Sequence, residues 1–404
     1  MSVLTASPRV LIVALSNWFG APRLPRAFLR AGFHVTTFAF SGTLIQRSQS
    51  VHEALLVPDD IPNDELLSRL AAALERAQPD IVLATDDTSV IVLHLLRAKL
   101  QREPSSRWHE LLARSLGDAR HAKTVRSRKL LAELAGAAGV RTPAQGAVYS
   151  EADALAFAAR HGYPVVLKEE DSAAGFGVAI CKTEAELRAA VLRIGQNPGS
   201  LQHGVLAQSF VEGRTAMRVV VAQAGRVLGG LSAIKLETWP TATGPSTCVE
   251  LIDHPEMSAT AQAVVAALGY SGFASLDFML DGSGRASLIE LNPRPTPISH
   301  LGERFGACLC ERLKAALTDE PLPTGEPQGL PARVALFPQE WVRDQKSPHL
   351  AAGVYHDVPW DEPDLVEAYT VFGRGQMRFM AYRLLDMRND ELRRQLVQAE
   401  TASG

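Results

Sequence analysis

The sequence predicts an α/β protein: a parallel sheet covered on both faces by helices at the N-terminal end, then a mixed α+β region. Three observations carry this expectation. Strand-like and helix-like runs alternate through residues 1–118, hairpin-rich sequence takes over after them, and a proline- and glycine-dense stretch sets off a last segment. At 404 residues the chain is long enough for two or three domains with sizeable cores. Its 46% hydrophobic and 21% charged composition is ordinary for a globular protein.

In the first region RVLIVAL (9–15), HVTTFAF (34–40), ALLV (54–57) and DIVLAT (80–85) read as buried strands. PRLPRAFLRAG, DELLSRLAAALERA and SVIVLHLLRAKL read as the helices among them. Ligands of such sheets sit at the carboxyl ends of strands, where SNWFGAPR (16–23) and TDDT (85–88) fall. Trp18, Arg23, Thr85, Asp86 and Asp87 are therefore candidate substrate contacts, although polar residues at strand ends also cap helices. A nicotinamide dinucleotide site is not expected, because the turn after the first strand holds only Gly20 and not three spaced glycines.

The second region, 119–320, opens with a helix at 127–139 and continues through helix 151–161, strand YPVVLK, a glycine-bearing loop, strand VAICK, helix 183–194 and strand VLAQSF. A flexible lobe is expected over about 144–206. Residues 321–331 have linker chemistry, and 332–404 are expected to form a small C-terminal subdomain.

The strongest chemical signal is LIELNPRP (288–295). Glu290 interrupts an aliphatic run, and Asn292, two residues on, shares its face. FASLDFML (273–280) precedes it across the hairpin signal DGSG. A loop of two or four residues gives paired positions an odd sum, which puts Asp277 on that face too. Asp277, Glu290 and Asn292 offer only hard oxygen donors, which suits Mg2+ or Mn2+; the bland alternative is a polar solvent face. Cations for a phosphate are at hand. Lys168 ends YPVVLK, Gly175 and Gly177 follow in a loop that would let backbone N–H groups approach an anion, and Arg128 and Lys129 open the 127–139 helix. Arg218, Lys235 and Arg294 are further cationic candidates, and Arg294 is fixed between Pro293 and Pro295. Its alternative role is a salt bridge to Glu290 or Glu303. TGPST (243–247) reads equally as a substrate loop or a turn, and His300 as a structural histidine.

Together AGVRTP, GYPVVLK, AQSFVEG (207–213) and ASLDFML with IELNPRP resemble the ATP-grasp superfamily over roughly residues 120–318. The resemblance implies a two-lobed ATP-grasp domain preceded by a Rossmann-like, substrate-binding domain. It implies ATP and Mg2+ (or Mn2+) as cofactors, with Asp277, Glu290 and Asn292 as metal ligands. Lys168, with Arg128 or Lys129, would hold phosphates under the loop of Gly175 and Gly177. The hinge Gln208, Ser209, Phe210 and Val211 would receive adenine. Thr215 stands where an acidic residue often binds ribose, with Glu212 as a substitute. Arg294 and Lys168 would be catalytic. The implied reaction is ATP-dependent activation of a carboxylate as an acyl phosphate, followed by its joining to an amine of an amino-acid or peptide-like substrate. Alternatives are a bicarbonate-activating carboxylase component and a non-catalytic ATP-binding protein.

The net charge of −3 gives no basic field for nucleic acid or an anionic membrane. VLIVAL (10–15) is too short to span a bilayer and lacks a cleavage pattern. Cys181, Cys248, Cys308 and Cys310 show no zinc spacing and read as buried thiols of a reducing, cytoplasmic setting. The expected partners are small-molecule carboxylates and amines, and the resemblance allows a homodimer.

Overall fold

The computed structural model describes residues 7–100, 107–170, 177–196, 200–375 and 380–402. Its first sheet contains β1 (Arg9–Ala14), β2 (His34–Phe40), β3 (Glu53–Val57) and β4 (Ile81–Ala84), all parallel, in the order β3-β2-β1-β4. After Arg9 every residue of β1 is buried, as expected of a central strand with helices on both faces. The chain leaves β1 toward β2 and returns to pair β4 on the other side. The carboxyl ends of β1 and β4 therefore flank the switch point of the sheet.

A four-stranded antiparallel sheet follows, in the order β5-β8-β6-β7: β5 is Gln145–Val148, β6 Val165–Lys168, β7 Val178–Cys181 and β8 Val205–Ser209. Helices Glu151–His161 and Glu184–Gly195 bury Ala154, Ala158, Leu187 and Val191 against it. Both start where a hydroxyl can cap them: Ser150 Oγ accepts from Asp153 N at 3.1 Å and Thr183 Oγ1 from Glu186 N at 3.2 Å.

The largest sheet has seven strands, β9 (Arg214–Gln223), β10 (Arg226–Thr238), β11 (Ser246–Ile252), β12 (Gly272–Leu280), β13 (Ala286–Asn292), β14 (Ala332–Leu336) and β15 (Tyr355–Asp357), ordered β13-β12-β9-β10-β11-β14-β15. One face packs on helices Arg128–Ala137 and Pro255–Leu268 through Ala216, Val220, Ala274 and Leu276. The other face, with Met217, Val219, Ala233 and Phe273, shares a core with β1, helix Leu24–Arg30 and helix Leu309–Leu317. Phe28 and Phe273 meet there with ring centroids 5.9 Å apart. The first sheet and the largest sheet thus enclose one continuous core.

Residues 332–404, expected as a small subdomain, are divided between neighbours instead. β14 and β15 extend the largest sheet, and Leu392, Leu396 and Ala399 of helix Met380–Thr401 fill the core of the first sheet. Thr88 donates to Asn389 at 2.8 Å, and Arg126 pairs with Glu400 at 2.6 Å. These residues bury apolar side chains on surfaces already present, so they need no core of their own. Among the described residues no helix is long and apolar enough to cross a membrane.

Candidate active site

The face of the largest sheet that packs on the first sheet is apolar at Val219, Met217 and Ala233 and turns polar toward one end. In β10 Lys235 follows Ala233 by two residues, in β9 Thr215 precedes Met217 by two, and in β12 Asp277 lies beside Met217. Asp277 pairs directly with Glu290, and Ser275 with Asn292, so all three proposed oxygen donors stand on this face.

The premise behind that register needs correction. The β12–β13 loop is Asp281–Arg285, five residues, closed by Asp281 N donating to Arg285 O at 3.1 Å. Leu280 therefore pairs with Ala286, an even sum. A bulge opposite the Asp277–Phe278 step then adds one residue to β13, at Ile289, and restores the odd sum at Asp277 and Glu290. Without the bulge Glu290 would turn to the opposite face.

Two cations reach this place, Lys168 from the end of β6 in the small sheet and Arg128 from the first turn of the Arg128–Ala137 helix. Lys168 Nζ donates to Ile289 O at 3.2 Å. Arg128 donates through Nε and Nη2 to Glu290 Oε1 at 3.1 and 2.7 Å, and through Nη1 to the carbonyls of Glu169 and Glu170. Lys235 Nζ lies 2.9 Å from Asp277 Oδ2. Both carboxylates are thus neutralised by cations of the chain itself. Burial alone would raise the Glu290 carboxyl, but Arg128 and Lys168 outweigh it and hold it down at about 2. Burial pushes the Lys168 ammonium down to about 8, with Glu290 opposing the fall and Arg128 adding to it.

Arg128 and Lys129 point to different places. Arg128 turns into the cleft between the sheets, whereas Lys129 lies over the Tyr149 ring at 5.6 Å. Of the loop glycines, Gly177 receives the Glu169 N–H at 3.0 Å and closes the base of the β6–β7 connection; Gly175 lies outside the described residues. Gln208 is buried and donates to Gln145 Oε1 at 2.5 Å. Ser209 N and Phe210 N donate to the carbonyls of Ala144 and Pro164, fixing the segment that leads through Val211 to β9. Thr215 stands on the site face with its hydroxyl 3.8 Å from Met279 Sδ, and Glu212 is exposed.

Several residues singled out by the sequence fall elsewhere. Arg218 alternates to the opposite face, where Nη1 donates to Ser232 Oγ at 2.8 Å. Strand periodicity excludes it from the site, since Met217 and Val219 already point there. Arg23 and His300 both engage Asp357, the former at 3.0 Å and the latter with 3.0 Å to each carboxylate oxygen, in a buried strut between the first sheet and β15. TGPST closes the β10–β11 turn, with Trp239 N donating to Pro245 O at 3.0 Å. Asp86 is also structural: it accepts from Leu15 N, Ser89 N and Ser89 Oγ at 2.8–2.9 Å.

Arg294 has a partner that sequence reasoning did not pair with it. Its Nε and Nη2 donate to Asp87 Oδ1 and Oδ2 at 2.6 and 3.0 Å, rather than to Glu290 or Glu303. Asp87 was legible only as a strand-end acid 207 positions away.

The arrangement gathers Asp277, Glu290, Asn292 and Lys235 on one sheet against Lys168 of a second sheet and Arg128 of a helix start. Comparison with known proteins agrees. Residues 127–297 match the ATP-grasp domain family. The carbamoyl phosphate synthase large chain of Thermotoga petrophila is 30% identical over 193 residues, covering 45% of this chain and 17% of that one. The chain thus spans a small part of the curated relative it matches. Among solved structures, biotin carboxylase of Campylobacter jejuni in a nucleotide complex superposes with a TM-score of 0.61 at 16% identity, over 78% of this chain and 72% of that one. An L-amino acid ligase of Bacillus licheniformis gives 0.58 at 17%, over 80% and 78%. These two share the fold.

Proposed function

We propose that the protein is an ATP-dependent, ADP-forming carbon–nitrogen ligase that activates a carboxylate as an acyl phosphate and joins it to an amine. The observation that carries this reading is the cross-strand pair Asp277–Glu290, with Asn292 beside it, met by Lys168 from the small sheet and by Arg128 from the start of its helix. Two carboxylates and an amide fit Mg2+, which takes one or two carboxylates and completes its shell with phosphate oxygens and water. Asp277, Glu290 and Asn292 would hold it, and it would neutralise charge on the β- and γ-phosphates.

The rest is positioning by the chain's own residues. Arg128, from the helix start, and Lys168, from the small sheet, hold phosphates once these replace Glu290 and Ile289 O as their partners. Gln208, Ser209, Phe210 and Val211 border the adenine, and Thr215 lies toward the ribose. Arg294 faces the carboxylate and stabilises charge on the transferred phosphoryl group. Phosphoryl transfer asks for little covalent work by the protein, which matches a site built of fixed charges.

Incubation with ATP, Mg2+ and a pool of amino acids should release ADP and phosphate and yield a condensed product by mass. Release of AMP and pyrophosphate would reject the mechanism. A bicarbonate-activating role is the second reading, favoured by the likeness to biotin carboxylase and to the carbamoyl phosphate synthase large chain. ADP release stimulated by bicarbonate without any amine would select it.

A further inference from the structure

The switch-point crevice of the first sheet holds two residues, Trp18 and Asp87, to which the proposed reaction has so far given no part, and both engage Arg294. The loop after β1 carries Trp18, and the residue that opens the helix after β4 is Asp87. Arg294, 7% exposed, enters between them from the largest sheet. Asp87 takes the Nε and Nη2 edge of the guanidinium, and the Trp18 ring covers one face with its centroid 5.2 Å from Cζ. Gly20 permits this close approach: a Cβ there would lie 3.0 Å from the backbone of Thr296 and Pro297. Two constraints from the first sheet therefore hold one arginine of the other domain.

What remains of Arg294 is its terminal edge. Among the described residues Nη1 makes no hydrogen bond, and Nη2 also faces Asn292 Oδ1 across a long 3.5 Å. That edge borders the proposed metal ligands. Beside it, Trp18 Nε1 is buried and has no hydrogen-bond partner among the described residues. A buried indole N–H without an acceptor is unusual, because such groups are normally satisfied. Its environment supplies the Arg294 guanidinium over the ring and, among the described residues, no acceptor for the N–H.

We infer that Trp18 and the terminal edge of Arg294 form a two-donor seat for a carboxylate, and that Asp87 is the positioning residue that aims Arg294 into it. A carboxylate supplies the acceptor that Trp18 lacks and accepts from arginine in the end-on geometry that Asp87 leaves open. Asp87, 38% exposed on its side chain, acts through Arg294 and does not touch the phosphates. The naming of that carboxylate as the one activated rests on the ligase reading; the seat itself does not.

The test uses the full chain labelled with 15N-tryptophan and the variants Trp18→Phe and Asp87→Asn. Trp18→Phe keeps the ring over Arg294, removes the donor, and assigns one of the five indole signals. Sodium acetate is the probe, followed by whichever carboxylate supports ADP release. The Trp18 indole signal is expected to move on addition of acetate, and to move much less in Asp87→Asn. In turnover, Trp18→Phe should raise KM for the carboxylate about tenfold with kcat within about twofold, and Asp87→Asn should lower kcat/KM about thirtyfold, with Asp87→Glu recovering most of it. MgADP affinity should stay within about threefold in all three. A Trp18 signal indifferent to every carboxylate, or Asp87→Asn with unchanged kinetics, overturns the inference. If no carboxylate and amine pair releases ADP, the ligase reading fails while the indole signal still decides whether the seat exists.

Discussion

Replacing Glu290 by Gln removes one charge from a site that contains three cations, and the structure allows its several consequences to be separated. Glu290 and Arg128 are paired at 2.7 Å with side chains 24% and 13% exposed. Deleting one member of a fully buried pair costs about 3–5 kcal/mol. Gln keeps an acceptor for Arg128, which also retains the Glu169 and Glu170 carbonyls, so a loss of about 1–2 kcal/mol is expected here. Urea denaturation measures it. Turnover should fall at least ~10³-fold, the equivalent of about 4 kcal/mol in transition-state charge stabilisation. The distinguishing readout is ADP binding by calorimetry with and without Mg2+. In EDTA the variant should bind ADP as tightly as the parent or more so, since Arg128, Lys168 and Lys235 have lost an internal anion. With Mg2+ it should bind about tenfold or more weakly than the parent. Turnover within tenfold of the parent, or an unchanged response of ADP binding to Mg2+, refutes the placing of the metal at Glu290.

Three other perturbations test separate parts of the molecule. Lys168, held near 8 by burial, should take up a proton when phosphate binds above that pH, so ADP affinity falls as pH rises past about 8. Calorimetry in two buffers of different ionisation heat reads the proton directly; the same depressed value makes Lys168's contribution to stability rise with pH between about 8 and 10.5. Asp86→Ala orphans the Ser89 N–H and leaves Leu15 N only its 3.1 Å bond to Ser89 Oγ, which should cost about 2 kcal/mol in urea, with a loss of protection in hydrogen exchange at the end of β1. Leu396→Ala, at a fully buried position against the first sheet's helices, should cost about 2–5 kcal/mol, whereas an independent C-terminal unit would leave the first domain's unfolding unchanged.

Much of the architecture was written in local pattern. The buried runs of β1, β2 and β4 and the helices at 151–161 and 183–194 are short-range signals, and each appears within a residue or two of its expected place. The facing of Asp277, Glu290 and Asn292 was also foreseen, although through two compensating differences: a five-residue turn and a bulge at Ile289. Turn length and bulges depend on backbone geometry that residue types constrain only weakly. Arg218 was misplaced because its basic character was noticed without its parity on β9, which Met217 and Val219 fix. Spacing could not separate Arg128 from Lys129, since adjacent helix positions differ by about 100° in direction and only the tertiary cleft says which faces it. The pairing of Arg294 with Asp87, and the seating of Leu392 and Leu396, join residues hundreds of positions apart and left no local mark.

The return of helix Met380–Thr401 to the first sheet has a consequence for how the molecule is made. Thr88 and its partner Asn389 are separated by 301 positions. The opening third of the polypeptide therefore leaves the ribosome with a greasy groove beside the Asp87–Leu100 helix that its own residues cannot fill. Until the far end is synthesised, that groove is a place for chaperones or for unwanted self-association, and the slowest step of maturation should be the docking of this late-arriving helix.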